Sequence, residues 1–245
     1  MKLRFSSILS QVQGEFPPHA ADVLYLGGCP LRCPFCFVPD LLDTKTCEEK
    51  TVEELAEYFL NKNTPALSVK GGEPFTQANA LHHLLRTLKT QGIKTKVETA
   101  GYFPESLRAT LEWLDHVAID VKTKLDPSAY HEMTGVKGDL ALMNLMKSLA
   151  FLESTPYSVF REMRLTVVPG KNDDPGIIQD VASYVRNYCD LLVLQQFDPT
   201  PALVDENYRT LPETPRKTLG DLAMLARNLV PNVAIRTREG MQFIR

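Results

Sequence analysis

The sequence predicts an α/β protein folded as one domain over residues 1–245, a partial (β/α)6 barrel with a short N-terminal extension and a C-terminal helix and strand. Three observations carry that expectation. After residue 20, short β-rich runs alternate with amphipathic helical stretches, the pattern of parallel strands joined by crossover helices. Six such units, roughly 25 to 40 residues each, follow one another with no linker or low-complexity tract between them. A chain of 245 residues, 44% hydrophobic and 23% charged, also has the length and composition to bury one core of that size.

The elements follow in order. Val23-Leu24-Tyr25-Leu26 is the first predicted strand and runs into Gly27-Gly28. Thr51, with Glu54 three residues on, forms a capping-box pattern, so a helix starts there and continues its apolar face through Leu55, Tyr58 and Phe59. The second strand is predicted over 66–70, with a helix over 78–91 that breaks at Gly92, and the third over 95–99, backed by a helix over 105–114. The fourth strand, 117–121, precedes a longer helical region whose best part is 140–152. A fifth strand over 163–168, a helix over 176–188 and a sixth strand over 191–195 complete the array. Pro199, Pro201, Pro212 and Pro215 mark 198–215 as a long loop, before a last helix over 216–229 and a strand over 233–237.

Several function classes are excluded at this level. Ser6, Ser7, Ser10, Gln11 and Gln13 interrupt any apolar run near the N-terminus, and no segment is long and apolar enough to span a bilayer, so a soluble cytoplasmic protein without membrane contact is expected. A net charge of −3 gives no general attraction to nucleic acid, and none is expected as a partner. The nearest basic cluster, Lys89, Lys94 and Lys96, reads as a solvated helix end followed by a strand edge. The histidines at 19, 82, 83 and 116 read as turn or helix residues without a catalytic role, and His131 as a surface residue.

The densest chemistry lies just past the first strand, in Cys29-Pro30-Leu31-Arg32-Cys33-Pro34-Phe35-Cys36. Three thiolates on one short loop can converge on an iron–sulfur cube, and a cube has four irons, so one iron keeps an open position. A structural zinc site takes four ligands in paired short spacings, and no second pair follows. The odd number of cysteines and the size of the chain argue against a disulfide framework, which leaves Cys47 and Cys189 as ordinary thiols.

Two further groups sit where a parallel barrel gathers its chemistry, at the carboxyl ends of strands. Gly71-Gly72-Glu73-Pro74 follows the second strand; paired glycines let backbone approach a ligand, and the carboxylate can hold an ammonium group. On the fourth strand, alternation puts Val117, Ile119 and Val121 on one face and Asp120 and Lys122 on the other, toward the lumen. Two charges there call for a bound ligand or for each other, and both readings stay open. Lys70, just before the glycines, either sets a cation beside the cluster or reaches solvent with its tip.

Cys-x3-Cys-x2-Cys followed by Gly-Gly-Glu-Pro resembles the radical S-adenosylmethionine superfamily, over most of the chain. Within it, Glu98-Thr99-Ala100-Gly101, Ala118-Ile119-Asp120-Val121-Lys122, Tyr130-His131-Glu132-Met133-Thr134-Gly135 and Arg164-Leu165-Thr166-Val167-Val168-Pro169-Gly170 are similar to the activating enzymes of glycyl-radical proteins. Leu194-Gln195-Gln196-Phe197-Asp198-Pro199 resembles the anaerobic ribonucleotide reductase activases, a looser likeness.

The resemblance implies a fold, two cofactors and a set of roles. Cys29, Cys33 and Cys36 would ligate a [4Fe–4S] cluster whose open iron is chelated by S-adenosylmethionine. Gly71, Gly72 and Glu73 would contact the methionine amino group, Phe35 would lie near the adenine, and Lys122 and Arg164 near the cofactor's charged groups. Glu98, Thr99 and Asp120 would hold a monovalent cation, although Glu98 and Ala100 stand where the family more often has Asp and Asn. A flavodoxin- or ferredoxin-type donor would reduce the cluster. Cleavage of S-adenosylmethionine would then give a 5′-deoxyadenosyl radical that takes hydrogen from a substrate, with no side-chain acid or base required. That substrate is a glycine of a glycyl-radical enzyme or, alternatively, a small molecule, as in the deazaguanine-forming synthases whose Gly-Gly-Glu-Pro and Glu-Thr-x-Gly segments are similar. A non-catalytic iron–sulfur carrier leaves Gly-Gly-Glu-Pro and the fourth-strand charges unexplained.

Overall fold

The structure, a computed structural model, describes all 245 residues, Met1–Arg245. The expected alternation is present, but regular structure starts earlier. Strand β1 (Lys2–Phe16) pairs antiparallel with β2 (His19–Leu26), and β3 (Glu48–Thr51) pairs antiparallel with β1 on its other side. The N-terminal extension is therefore a sheet arm, anchored by the buried Leu3 and Phe5. The serines and glutamines that hide it from a hydrophobicity pattern stand on its exposed stretch. Register shifts about Val12, with Gln11 and Gly14 at positive φ, bend the end of the hairpin and bring Glu15 and Phe16 inward.

From β2 the sheet continues through β4 (Ala66–Gly71), β5 (Lys94–Thr99), β6 (His116–Asp120), β7 (Phe160–Val167), β8 (Leu191–Gln196) and β9 (Val233–Thr237), each parallel to its neighbour. The last strand thus extends the parallel array beyond the six units expected, and β10 (Gly240–Phe243) turns back on it antiparallel. The sheet has 10 strands in the order β10-β9-β8-β7-β6-β5-β4-β2-β1-β3, so it is an open barrel with β10 and β3 at its edges.

The helices are α1 (Val52–Asn61), α2 (Ala78–Thr90), α3 (Pro104–Thr110), α4 (Pro127–Thr134), α5 (Gly138–Ser154), α6 (Pro175–Val185) and α7 (Arg216–Arg227). The capping box of α1 is made: the Glu54 N–H donates to Thr51 Oγ1 at 3.2 Å, and the Thr51 N–H to Glu54 Oε2 at 2.7 Å. The helical region after the fourth strand is two helices, because Asp126 and Pro127 start α4 and Gly135 ends it in the left-handed conformation. None of the helices is long and apolar enough to cross a membrane.

Period-two alternation divides each parallel strand into two faces. Leu24, Leu67, Val69, Val97, Val117, Ile119, Leu165 and Leu192 face outward into the main hydrophobic core, where they meet Leu81, Leu84, Leu145 and Val181 of the helices. Each such side chain contributes about 1.5–3 kcal/mol by leaving water. Many of the inward residues of the same strands are charged or polar, Lys70, Lys96, Glu98, Asp120, Glu162 and Arg164 among them, and they build the site, with Ala118 and Val193 between them.

Candidate active site

One cavity of about 420 Å³ opens at the carboxyl ends of the strands, within the usual range of about 300–1,000 Å³ for ligand sites. Tyr25 of β2 and Arg236 of β9 both line it, so the open sheet curls round a single lumen. Every site residue chosen from the sequence lines this cavity: Cys29, Cys33, Cys36, Phe35, Gly71, Gly72, Glu73, Glu98, Thr99, Asp120, Lys122 and Arg164.

The cysteine loop is fastened on three sides. The Gly28 N–H donates to the Leu41 carbonyl at 2.8 Å, the Arg32 N–H to the Thr134 carbonyl at 2.7 Å, and the Asp205 N–H to the Pro34 carbonyl at 3.0 Å. The second of these docks the end of α4 on the loop, which gives Tyr130–Gly135 a structural task beside the cysteines. Leu203 and Tyr208, from the proline-rich segment after β8, pack with Leu31, Cys33 and Phe35 in a small core of their own.

Gly71 and Gly72 are explained differently from the sequence reading. A Cβ on Gly71 would lie 2.3 Å from the Leu26 carbonyl oxygen, and one on Gly72 2.3 Å from that of Gly28. Gly71 thus approaches the end of β2 and Gly72 the start of the cysteine loop, and the Glu73 N–H donates to the Gly28 carbonyl at 2.8 Å. Glu73 is likewise engaged within the protein. Its carboxylate, 1% exposed, accepts from Thr99 Oγ1 at 2.8 and 2.9 Å, the Ala100 N–H at 2.8 Å and the Phe75 N–H at 3.2 Å. These three protons leave one of its four acceptor positions for a ligand. Burial raises its pKa, against the lowering effect of those donors.

Asp120 and Lys122 pair with each other, Nζ to Oδ2 at 3.0 Å, at the mouth of the lumen, and both side chains belong to residues that line the cavity. Burial works against the Lys122 charge, but the Asp120 carboxylate, with Cys33 and Cys36 close by, outweighs it and holds the pKa above the ordinary lysine value. The ammonium lies 5.9 Å from the centre of the Phe35 ring.

Beneath the mouth lies a charged floor that the sequence reading did not assemble. Lys96, expected to be solvated, is 1% exposed; its Nζ donates to the Glu15 carbonyl at 2.9 Å and lies 3.4 Å from Glu98 and 3.7 Å from Glu162. Arg164 reaches Glu98 at 2.6 Å and Glu162 at 2.5 Å. His116, expected in a turn, opens β6 and sits 2.9 Å from Glu162 between Phe16 and Phe160. Lys70 turns inward rather than to solvent and pairs with Glu15 at 2.8 Å. Burial opposes ionisation of Glu98, yet Arg164, Lys96 and Lys70 together hold it well below the usual carboxylate range. Only placing β5 and β7 in register across β6 could reveal this network: strand alternation marks Lys96, Glu98, Glu162 and Arg164 as same-face residues, but not as partners.

Residues 19–141 match a protein family described as a 4Fe-4S single cluster domain. Over 243 residues the chain is 32% identical to a Methanocaldococcus jannaschii protein provisionally named a glycyl-radical enzyme activating enzyme, covering 98% of each. The chain belongs to the activating-enzyme family of radical S-adenosylmethionine proteins. It is also 30% identical over 176 residues to the pyruvate formate-lyase-activating enzyme of Clostridium pasteurianum, covering 69% of this chain and 71% of that one. The fold is shared with a radical SAM methyltransferase from Sphaerobacter thermophilus, at TM-score 0.70 and 14% identity over 92% of this chain and 68% of the other.

Radical SAM enzymes of this family carry a [4Fe–4S] cluster and S-adenosylmethionine, and the cavity suits both. Burial pushes the Cys29 thiol up to about 12 and the Cys33 thiol up to about 11, so without iron neither is ionised at neutral pH. The monovalent cation fits less well. Thr99 donates to Glu73, Asp120 is paired with Lys122, and Glu98 is surrounded by Arg164, Lys96 and Lys70.

Proposed function

We propose that this protein activates a glycyl-radical enzyme, and that Cys29, Cys33 and Cys36 hold the cluster while S-adenosylmethionine fills the cavity between the cysteine loop and the strand ends. The observation that carries this reading is the gathering of the three cysteines, Gly71–Glu73, Thr99, Asp120, Lys122 and Arg164 around one cavity. The relatives named for activating glycyl-radical enzymes support the choice of substrate.

When bound, the cluster and S-adenosylmethionine would supply the radical chemistry that removes hydrogen from the substrate. This chain's own residues bind and orient. The remaining acceptor position of Glu73 and the Asp120 carboxylate face the cofactor's ammonium, Lys122 faces its carboxylate, and Phe35 offers an apolar surface to the adenine. Leu203 and Tyr208 keep water from the outer side of the cysteine loop.

The test is a radical on the partner. Loaded, reduced protein mixed with S-adenosylmethionine and a candidate glycyl-radical enzyme should give a carbon-centred electron paramagnetic resonance doublet on that enzyme, lost when its glycine becomes alanine. Turnover of a small molecule with no signal on any such partner would transfer the reading to a small-molecule enzyme.

A further inference from the structure

The two carboxylates expected to hold a monovalent cation each have an ammonium group of their own. Asp120 is paired with Lys122 at 3.0 Å, and Glu98 Oε1 lies 3.4 Å from Nζ of Lys96. In both pairs the lysine stands two residues from the carboxylate, so strand alternation puts the two side chains on one face and the pairing is built into the local sequence.

Lys96 is seated as an ion would be. Its Nζ, on a residue 1% exposed, donates to the Glu15 carbonyl at 2.9 Å and stands 3.4 Å from Glu98 Oε1 and 3.7 Å from Glu162 Oε2. A peptide carbonyl and two carboxylates are the oxygen donors that a hard cation takes. The third expected ligand is engaged as well: Thr99 Oγ1 gives its proton to Glu73 at 2.8 Å and accepts the Gly101 N–H at 3.0 Å. Around Glu98 the charges already balance, Glu15, Glu98 and Glu162 against Lys70, Lys96 and Arg164. One more positive charge there would be a surplus in a place withdrawn from water, where an unmatched charge is costly.

We propose that Lys96, with Lys70 beside Glu98 and Lys122 beside Asp120, supplies the positive charge that a monovalent metal ion would bring, so that this protein binds S-adenosylmethionine without such an ion. The proposal rests on the reading of the cavity as the S-adenosylmethionine site and adds the counter-charge that the site uses. Lys96 touches no reacting atom; it is a positioning residue that holds Glu98 on the floor of the lumen.

The test varies only the salt. Affinity for S-adenosylmethionine is measured by anaerobic equilibrium dialysis, to cluster-loaded protein freed of alkali metals, in potassium, sodium or tetramethylammonium chloride at one ionic strength. Tetramethylammonium is too large to enter a cage of carboxylates. The affinities in the different salts should agree within about threefold, and an affinity higher than that in either metal salt overturns the proposal. K96M removes the ammonium and keeps the length of the side chain. It should bind about tenfold less tightly in tetramethylammonium chloride and regain most of that loss in potassium or sodium chloride, as the metal ion takes the vacated place. A K96M whose affinity is the same in every salt overturns the assignment, since a lysine of merely structural importance leaves a loss that no salt repairs. Should K96M fail to fold, the comparison of salts on the unaltered protein still decides. Failure of the underlying reading has another signature: no S-adenosylmethionine bound in any salt overturns the cavity and the proposal together, whereas the activating-enzyme reading fails separately, by leaving no radical on a glycyl-radical partner.

Discussion

The floor and the mouth of the barrel lumen are lined by similar residues put to different ends. On the floor, Lys96, Glu98, Glu162 and Arg164 answer one another at 2.5 to 3.7 Å, and Glu162 also faces His116. At the mouth, Cys29, Cys33, Cys36 and Arg236 line the cavity without an ionic partner in the protein, and the Asp120 that holds Lys122 keeps 38% of its side chain exposed. The floor is almost complete in itself, whereas the mouth needs a ligand to complete it. Charge density inside a barrel therefore does not by itself mark a site; unmet valence does.

The sharpest break between the two levels is expected at the cysteines. Cys29→Ala, Cys33→Ala or Cys36→Ala should abolish the visible absorption of the cluster and reduce S-adenosylmethionine cleavage by about a thousandfold or more, because two thiolates do not hold the cube. Urea unfolding of the cluster-free protein should move by only about 1 kcal/mol. The floor should behave in the opposite way. Glu162→Gln leaves Arg164 and Lys96 short of a buried carboxylate, and urea unfolding should show a loss of about 3–5 kcal/mol, as for other broken buried pairs. A loss under about 1 kcal/mol would mean that the floor is not a linked network.

Asp120→Ala lies between these two cases. It should weaken S-adenosylmethionine binding about 10- to 100-fold by equilibrium dialysis, the scale of one lost charge-assisted contact, and unchanged affinity would remove Asp120 from the site. The smallest effect is the pH dependence of the floor. Burial holds His116 below its ordinary value of 6.5, so the unfolded chain takes up a proton before the folded one does. Stability should be level above that value and fall as the pH drops below it, and His116→Gln should flatten the urea midpoint between pH 7.5 and 5.5.

The mouth was more legible than the floor, for a physical reason. The cysteine spacing, Gly-Gly-Glu-Pro and the Asp120–Lys122 alternation are local patterns, each contained within one strand and the turn after it. The floor consists of pairs such as Lys96 with Glu162 and Lys70 with Glu15, which come from strands separated by one other, so each member looks like a solvated strand charge when read alone. The N-terminal arm was hidden by its own serines and glutamines, although Leu3 and Phe5 alternate as a half-buried strand should. Gly71 and Gly72 line the cavity, but their close approach is to the end of β2 and the start of the cysteine loop, a contact that the spacing of the two motifs cannot reveal.

Reductive cleavage tests most directly whether S-adenosylmethionine meets the cluster at the open mouth. Anaerobically reconstituted protein, with dithionite and S-adenosylmethionine, should release 5′-deoxyadenosine and methionine in equal amounts, and the three cysteine variants should release none. A fully loaded cluster that yields no 5′-deoxyadenosine would contradict the account.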